Sequence, residues 1–227
     1  MISVVIPTLN AARSLPDALA PLVKGVIADL VKEVIIADGG STDDTLAVAD
    51  AVGCEVVSGA IGRGPQLIAG AAVAKGRWLL FLHADTVLAD GWVDEAQRHI
   101  RASEDRAAAF SFAFDDDGLA ARHAAFWVGI RCAVLRLPYG DQGLLISRKL
   151  YDALGGFKPM PLMEDVDLIR RIGRTRLALL RAKAVTSAEK YRRDGYARRS
   201  LNNLVLLARY LAGADPTRLA EAYAKPS

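Results

Sequence analysis

Trp78-Leu79-Leu80-Phe81-Leu82-His83-Ala84-Asp85-Thr86 is an apolar block that breaks onto an aspartate. The apolar part is short for a helix, follows the turn signal Lys75-Gly76-Arg77, and reads as a strand buried on both faces. A carboxylate just past such a strand sits at the carboxyl edge of a sheet, where open α/β folds take their ligands. Asp85 can there hold a divalent cation through oxygen, and the cation a diphosphate. The same aspartate also fits the N-cap of a short helix beginning near Thr86.

Upstream of this block, strands and helices alternate. Ile2–Ile6, Glu33–Ala37 and Glu55–Ser58 read as strands. Ser14–Leu30 has helical spacing, with Leu15, Leu19, Leu22 and Val23 on one side, and Asp43–Val52 and Pro65–Ala74 follow as helices. Such repetition implies a parallel sheet with helices on both faces. A polar cluster follows each strand: Thr8 and Asn10, then Asp38-Gly39-Gly40-Ser41-Thr42-Asp43, then Gly62-Arg63-Gly64, then His83-Ala84-Asp85. These loops are expected to meet on one edge.

Downstream the pattern loosens. Ala107–Phe114 reads as a strand, Ala120–Leu137 as a helix carrying Phe126, Trp127 and Ile130, and Gly143–Ser147 as a short strand. Gly155-Gly156-Phe157 and Pro159-Met160-Pro161 form a stiff bend into Glu164-Asp165, after which a helix runs from Val166 to Ile172. Leu177–Leu180 is a candidate last strand. Arg198–Ala212 is a helix with Leu201, Leu204, Val205, Ala208 and Leu211 on one stripe.

The 227 residues, 52% hydrophobic and 24% charged, suit one domain with a substantial core rather than a disordered chain. A net charge of +3 suits an anionic substrate or membrane surface, and no basic tract has the interleaved aromatics of a nucleic-acid binder. Cys54 and Cys132 stand far apart without metal or redox spacing, as reduced cysteines of a cytoplasmic protein would. Neither a signal peptide nor a run of the ~18–20 apolar residues that span a bilayer is expected.

Several segments bear on chemistry. In Asp38–Thr45, Ser41 or Thr42 is a candidate helix cap, while Asp38 lies outside that duty and can accept hydrogen bonds from a base or ribose. Arg63, between two glycines, suits planar recognition of a phosphate or carbonyl edge. Glu164, Asp165 and Asp167 favour a helix dipole, and one of them is a candidate general base. The first loop lacks GxGxxG, and no GxxxxGK[ST] or GxSxG is present.

In this order, Val4–Asn10, Asp38–Asp43, Gly62–Gly64, His83–Asp85 and Gly155–Asp167 resemble the family-2 glycosyltransferases of the GT-A fold, in the nucleotide-diphospho-sugar transferase superfamily. Phe81–Thr86, Gly140-Asp141-Gln142 and Met163–Asp167 are similar to a short branch labelled selenodomain-associated transferases. The resemblance implies an α/β GT-A-like single domain, with a mixed, mostly parallel sheet flanked by helices and a C-terminal helical segment. Residues 1–106 would bind the nucleotide, 107–197 would carry the acceptor and catalytic half, and 198–227 would be a C-terminal helix and tail.

It further implies a metal-dependent, inverting enzyme of the hexosyltransferase type, moving a sugar from a nucleotide-diphospho-sugar to an acceptor hydroxyl. Pro7, Thr8 and Asp38 would contact base and ribose, with Arg63 at the base or diphosphate. Asp85 takes the last position of the metal-binding DxD and would hold Mn²⁺ or Mg²⁺. Asp165 takes the base position, Glu164 orients the acceptor or the base, and Gly140-Asp141-Gln142 lines the acceptor side. His83 stands in place of the first aspartate of DxD, with ribose or metal as its contact. Gly39 stands in place of the second aspartate of Asp-Asp-Gly-Ser.

A nucleotidyltransferase and a non-catalytic nucleotide-sugar-binding protein are the rival readings. For Arg198–Ala212, the choices are core packing, a homodimer contact, or a peripheral contact with the inner face of a membrane carrying a lipid-linked acceptor.

Overall fold

The computed structural model describes residues 1–59 and 61–224. Its strands are β1 (Ile2–Thr8), β2 (Val31–Asp38), β3 (Glu55–Ser58), β4 (Trp78–Phe81), β5 (Thr86–Leu88), β6 (Ala107–Phe114), β7 (Leu144–Ser147) and β8 (Leu177–Thr186). They form one sheet in the order β3-β2-β1-β4-β7-β6-β8-β5. Four of the seven neighbouring pairs are parallel, β1 with β2 and β4, β2 with β3, and β6 with β8. The other three, involving β7 and β5, are antiparallel. This is the mixed, mostly parallel α/β sheet implied by the sequence.

The helices are α1 (Leu15–Leu19), α2 (Leu22–Ile27), α3 (Thr45–Ala51), α4 (Arg63–Val73), α5 (Trp92–Ala102), α6 (Leu119–Leu135), α7 (Arg148–Ala153), α8 (Glu164–Ile172), α9 (Glu189–Asp194), α10 (Tyr196–Leu211) and α11 (Pro216–Ala224). Strands β1 and β4 read as unbroken apolar runs because both of their faces are covered. Val4, Ile6 and Leu80 pack on one side of the sheet, and Val5, Leu79 and Phe81 on the other. Each such side chain, fully buried, contributes about 1.5–3 kcal/mol.

Three expectations change. The single helix over 14–30 is two, α1 and α2, divided at Pro21, whose missing N–H cannot continue a helical ladder. Val23, placed on its apolar side, is 56% exposed. No helix starts at Asp85-Thr86. Thr86 instead opens β5 and pairs with Thr186 of β8, so Asp85 is not a helix cap. The last strand runs on from Leu180 to Thr186, because its second part pairs with both β6 and β5.

Candidate active site

Strands β1 and β2 end side by side, with Thr8 opposite Asp38 in the register. Asp38 is 1% exposed, and its carboxylate is saturated. Oδ2 accepts the Gly40 and Ser41 backbone N–H groups at 2.9 and 2.8 Å. Oδ1 accepts the hydroxyls of Thr8 and Ser41 at 2.8 and 2.5 Å. Burial pushes the Asp38 carboxyl up, but these bonds outweigh it and hold the group below the usual carboxylate range. Ser41 therefore serves Asp38 rather than capping α3, which begins at Thr45 with the Asp43 carboxylate accepting the Thr45 N–H.

Behind this corner Gln66 donates to the carbonyls of Thr8 and Ala37 at 2.6 and 2.9 Å, tying α4 to both strand ends. A Cβ at Gly39 would lie 2.9 Å from the Gln66 amide nitrogen. Glycine at 39 and glutamine at 66 thus fit as a pair, which accounts for the missing second aspartate.

A second group of strand ends opens into a cleft of about 160 Å³ lined by Arg63, His83, Asp85, Asp141 and Asp165, among others. Asp85 is held through its backbone, its carbonyl accepting the Ser187 N–H at 3.2 Å. Arg63 is the first residue of α4, and Gly62 before it turns the chain at φ +97°. Gly64 presses α4 onto the 158–160 segment, since a Cβ there would stand 2.5 Å from the Met160 carbonyl oxygen. That segment leads to Met163, which enters α8 with a left-handed backbone at φ +67°. A non-glycine residue there stores about 1–3 kcal/mol of strain beside Glu164 and Asp165.

The three acidic residues of α8 separate by role. Asp167 is clamped by Lys158 at 2.9 Å and Arg171 at 2.5 Å, away from the cleft. Asp165 lines the cleft, its Oδ2 accepting the Gly140 N–H at 2.7 Å. Glu164 turns inward behind the wall, 1% exposed, with Oε1 3.4 Å from Arg63 Nε. Neither Glu164 oxygen has a hydrogen-bond partner among the described residues. Burial, then the charge of Asp165, pushes the Glu164 carboxyl up to about 7, against the pull of Arg63.

Asp141 behaves similarly: its Oδ1 is buried without a partner among the described residues, and burial lifts the carboxyl to about 6, with Arg131 opposing and Asp165 and Asp85 adding. Desolvation, then Arg63 and Lys190, depresses His83 well below the ordinary histidine range, leaving a neutral imidazole. Gly140 lets this wall close, because a Cβ on it would meet His83 Nε2 at 2.6 Å and Asp165 Oδ2 at 3.3 Å.

Among the sequence-predicted residues, Arg63, His83, Asp85 and Asp165 thus share one cleft, with Glu164 behind it. Thr8 and Asp38 form the separate corner, and Pro7 lies within β1 opposite Ala37. Lys190, Tyr191, Arg199 and Tyr223 also line the cleft, and no motif in the sequence marks them as site residues. Arg199 bonds Asp194 at 2.6 Å and the Tyr223 hydroxyl at 2.8 Å, which brings α11 over the opening.

Among the described residues, no group of three or more His, Cys, Asp or Glu side chains is arranged to hold a metal by itself. The donors present, Asp85 with the unpartnered Asp141 Oδ1 nearby, fit a cation that takes further ligands from a bound diphosphate.

A sheet of this order, with its cleft at the strand ends, belongs to the GT-A fold. The structure aligns with glucosyl-3-phosphoglycerate synthase from Mycobacterium tuberculosis in complex with Mn²⁺, UDP-glucose and phosphoglyceric acid, at TM-score 0.60 and 22% identity, over 90% of this chain and 78% of that one. The chain belongs to glycosyl transferase family 2, whose sequence profile matches residues 3–161. It is also similar to a PGL/p-HBAD biosynthesis glycosyltransferase of Mycobacterium bovis, 37% identical over an alignment of 101 residues, with 39% of this chain and 36% of that protein covered. Glucosyl-3-phosphoglycerate synthase of Mycobacterium tuberculosis is 38% identical over 98 residues, 38% of this chain and 29% of the relative. The aligned part is thus about a third of the length of these curated relatives.

Proposed function

We propose that the protein transfers a sugar, with inversion, from a nucleotide-diphospho-sugar to an acceptor hydroxyl, assisted by Mn²⁺ or Mg²⁺. The observation that carries this reading is the meeting of Asp85, Arg63 and Asp165 in one cleft at the sheet edge. Family membership supports it, as does the shared fold with a synthase that binds Mn²⁺ and UDP-glucose.

In this reading residues 1–106 hold the donor, 107–197 hold the acceptor and the base, and the segment from 198 closes the cleft. Its end at 225–227 lies outside the described residues. Thr8 and Asp38 shape the corner for base and ribose. Asp85 would hold the cation, which when bound would supply Lewis-acid stabilisation of the leaving diphosphate. Arg63 adds positive charge there, and neutral His83 offers a nitrogen without repelling the cation. Asp165, oriented by the Gly140 N–H, takes the proton of the acceptor hydroxyl. The hydroxyl oxygen bonds to the anomeric carbon from the opposite face, and the bonding pair of the old C–O bond leaves with the nucleoside diphosphate. Glu164 holds Arg63 in place, and burial of the reacting groups limits the access of water.

A thermal-shift panel of UDP, GDP, CDP and TDP, with and without Mn²⁺, tests the donor site. The expected result is a metal-dependent shift with one nucleotide, lost in Asp85→Ala. An equal shift in that variant would remove the metal assignment.

A further inference from the structure

Apolar stripes on helices ordinarily face the core, but the stripe of α10 faces outward. Leu201 is 60% exposed, Leu204 57%, Val205 47% and Leu211 45%, while the helix is fastened through Leu206 and Leu207, at 7% and 2%. Helix α6, which packs against α10, repeats the pattern. It docks through Ala121, Ala124 and Cys132 and leaves Phe126 62%, Trp127 56% and Val134 57% exposed. Large apolar side chains are thus exposed on both of two helices that pack against each other, the kind of exposure that marks a contact site.

Charge decides what covers it. Neither Leu119–Leu135 nor Tyr196–Leu211 contains a carboxylate, whereas Arg122, Arg198 and Arg209 are exposed on these helices. A second copy docked about a twofold axis would set the patch against itself and bring like charges together. An anionic lipid surface instead offers phosphates to the arginines and a hydrocarbon boundary to the leucine and aromatic side chains. No helix among the described residues is long and apolar enough to cross a membrane.

We infer that α6 and α10 form a face that docks on an anionic membrane surface. The two helices lie along the headgroups, with Trp127 and Phe126 at the interface. Helix α10 then has lipid on one flank and the cleft on the other, since Arg199, Asn203 and Leu206 line the cleft. A hydroxyl carried on a lipid headgroup would thereby arrive beside the cleft.

Co-sedimentation of the full chain with vesicles of phosphatidylcholine and phosphatidylglycerol tests this, against phosphatidylcholine alone and no vesicles. The expected result is pelleting with the anionic vesicles only. Binding should fall at least tenfold in a variant carrying Trp127→Glu and Leu204→Glu, and also in one carrying Arg198→Glu and Arg209→Glu. Both pairs are exposed, so melting temperature and the nucleotide-induced shift should stay at wild-type values. Equal recovery with and without anionic vesicles would overturn the inference. So would a wild-type dimer in light scattering that Leu204→Glu converts to a monomer, because the patch would then belong to a second copy. Loss of vesicle binding with the nucleotide shift intact separates this inference from the proposed activity.

Discussion

The Thr8–Asp38 corner and the Glu164–Asp141 wall each bury carboxylates at the sheet edge, yet in opposite electrostatic states. Asp38 accepts four hydrogen bonds, two from backbone and two from hydroxyls, and is held below its ordinary range. Glu164 has no hydrogen bond among the described residues, Asp141 has an oxygen without one, and both are raised. A saturated carboxylate is a structural fixture, since its desolvation is already compensated. An unsatisfied one retains unused acceptor capacity, and such groups cluster at sites that await a ligand. In the proposed reading, the first corner would shape the donor site, while the second would be left reactive.

The largest expected effect tests the reactive side. Asp165→Asn should lower kcat for transfer by about 10²–10⁴-fold, the usual worth of a positioned base, while the metal-dependent nucleotide shift persists. Transfer at an undiminished rate would take the base role from Asp165.

Breaking the saturated corner should act on stability. Asp38→Ala strands the N–H groups of Gly40 and Ser41 and should cost about 2–4 kcal/mol in urea denaturation at neutral pH. A cost below that range would mean that water replaces the carboxylate without penalty, and the contrast between the corners would weaken.

The smallest effect has the opposite sign. Glu164 is raised from 4.5 to about 7 in the folded protein, so the folded state binds more protons than the unfolded state between those values. This group therefore makes the protein lose stability as pH rises through that window. Glu164→Gln removes that loss and should stabilise the chain by on the order of 1 kcal/mol at pH 8 relative to wild type, with less gain at pH 5. Denaturation of both proteins at the two pH values checks it, and a gain that does not grow with pH would contradict the unsatisfied state of Glu164.

Much of the first half was legible in the sequence. Val4–Ile6 and Leu79–Phe81 read as strands because burial on both faces demands unbroken apolar runs, and the polar clusters at their ends follow from the chain leaving the core. Arg63 between glycines was legible for a related reason: Gly64 lies where a Cβ would strike the Met160 carbonyl. The sorting of Glu164, Asp165 and Asp167 was not. Three neighbouring acids share one composition, and only the turn at Met163 and the contacts of Arg63, Gly140 and Lys158 give them different surroundings.

The sequence by itself determined the alternation of strand and helix, the family, and the set of strand-end residues at the sheet edge, because local periodicity and turn chemistry are written in neighbouring positions. Tertiary structure alone decided that Thr86 pairs with Thr186 instead of starting a helix. It also decided that Lys190, Arg199 and Tyr223 close the cleft, and that the stripe of α10 looks outward. Those outcomes depend on contacts between residues far apart in the chain, and periodicity reports only that a helix has an apolar side, not which way that side will face.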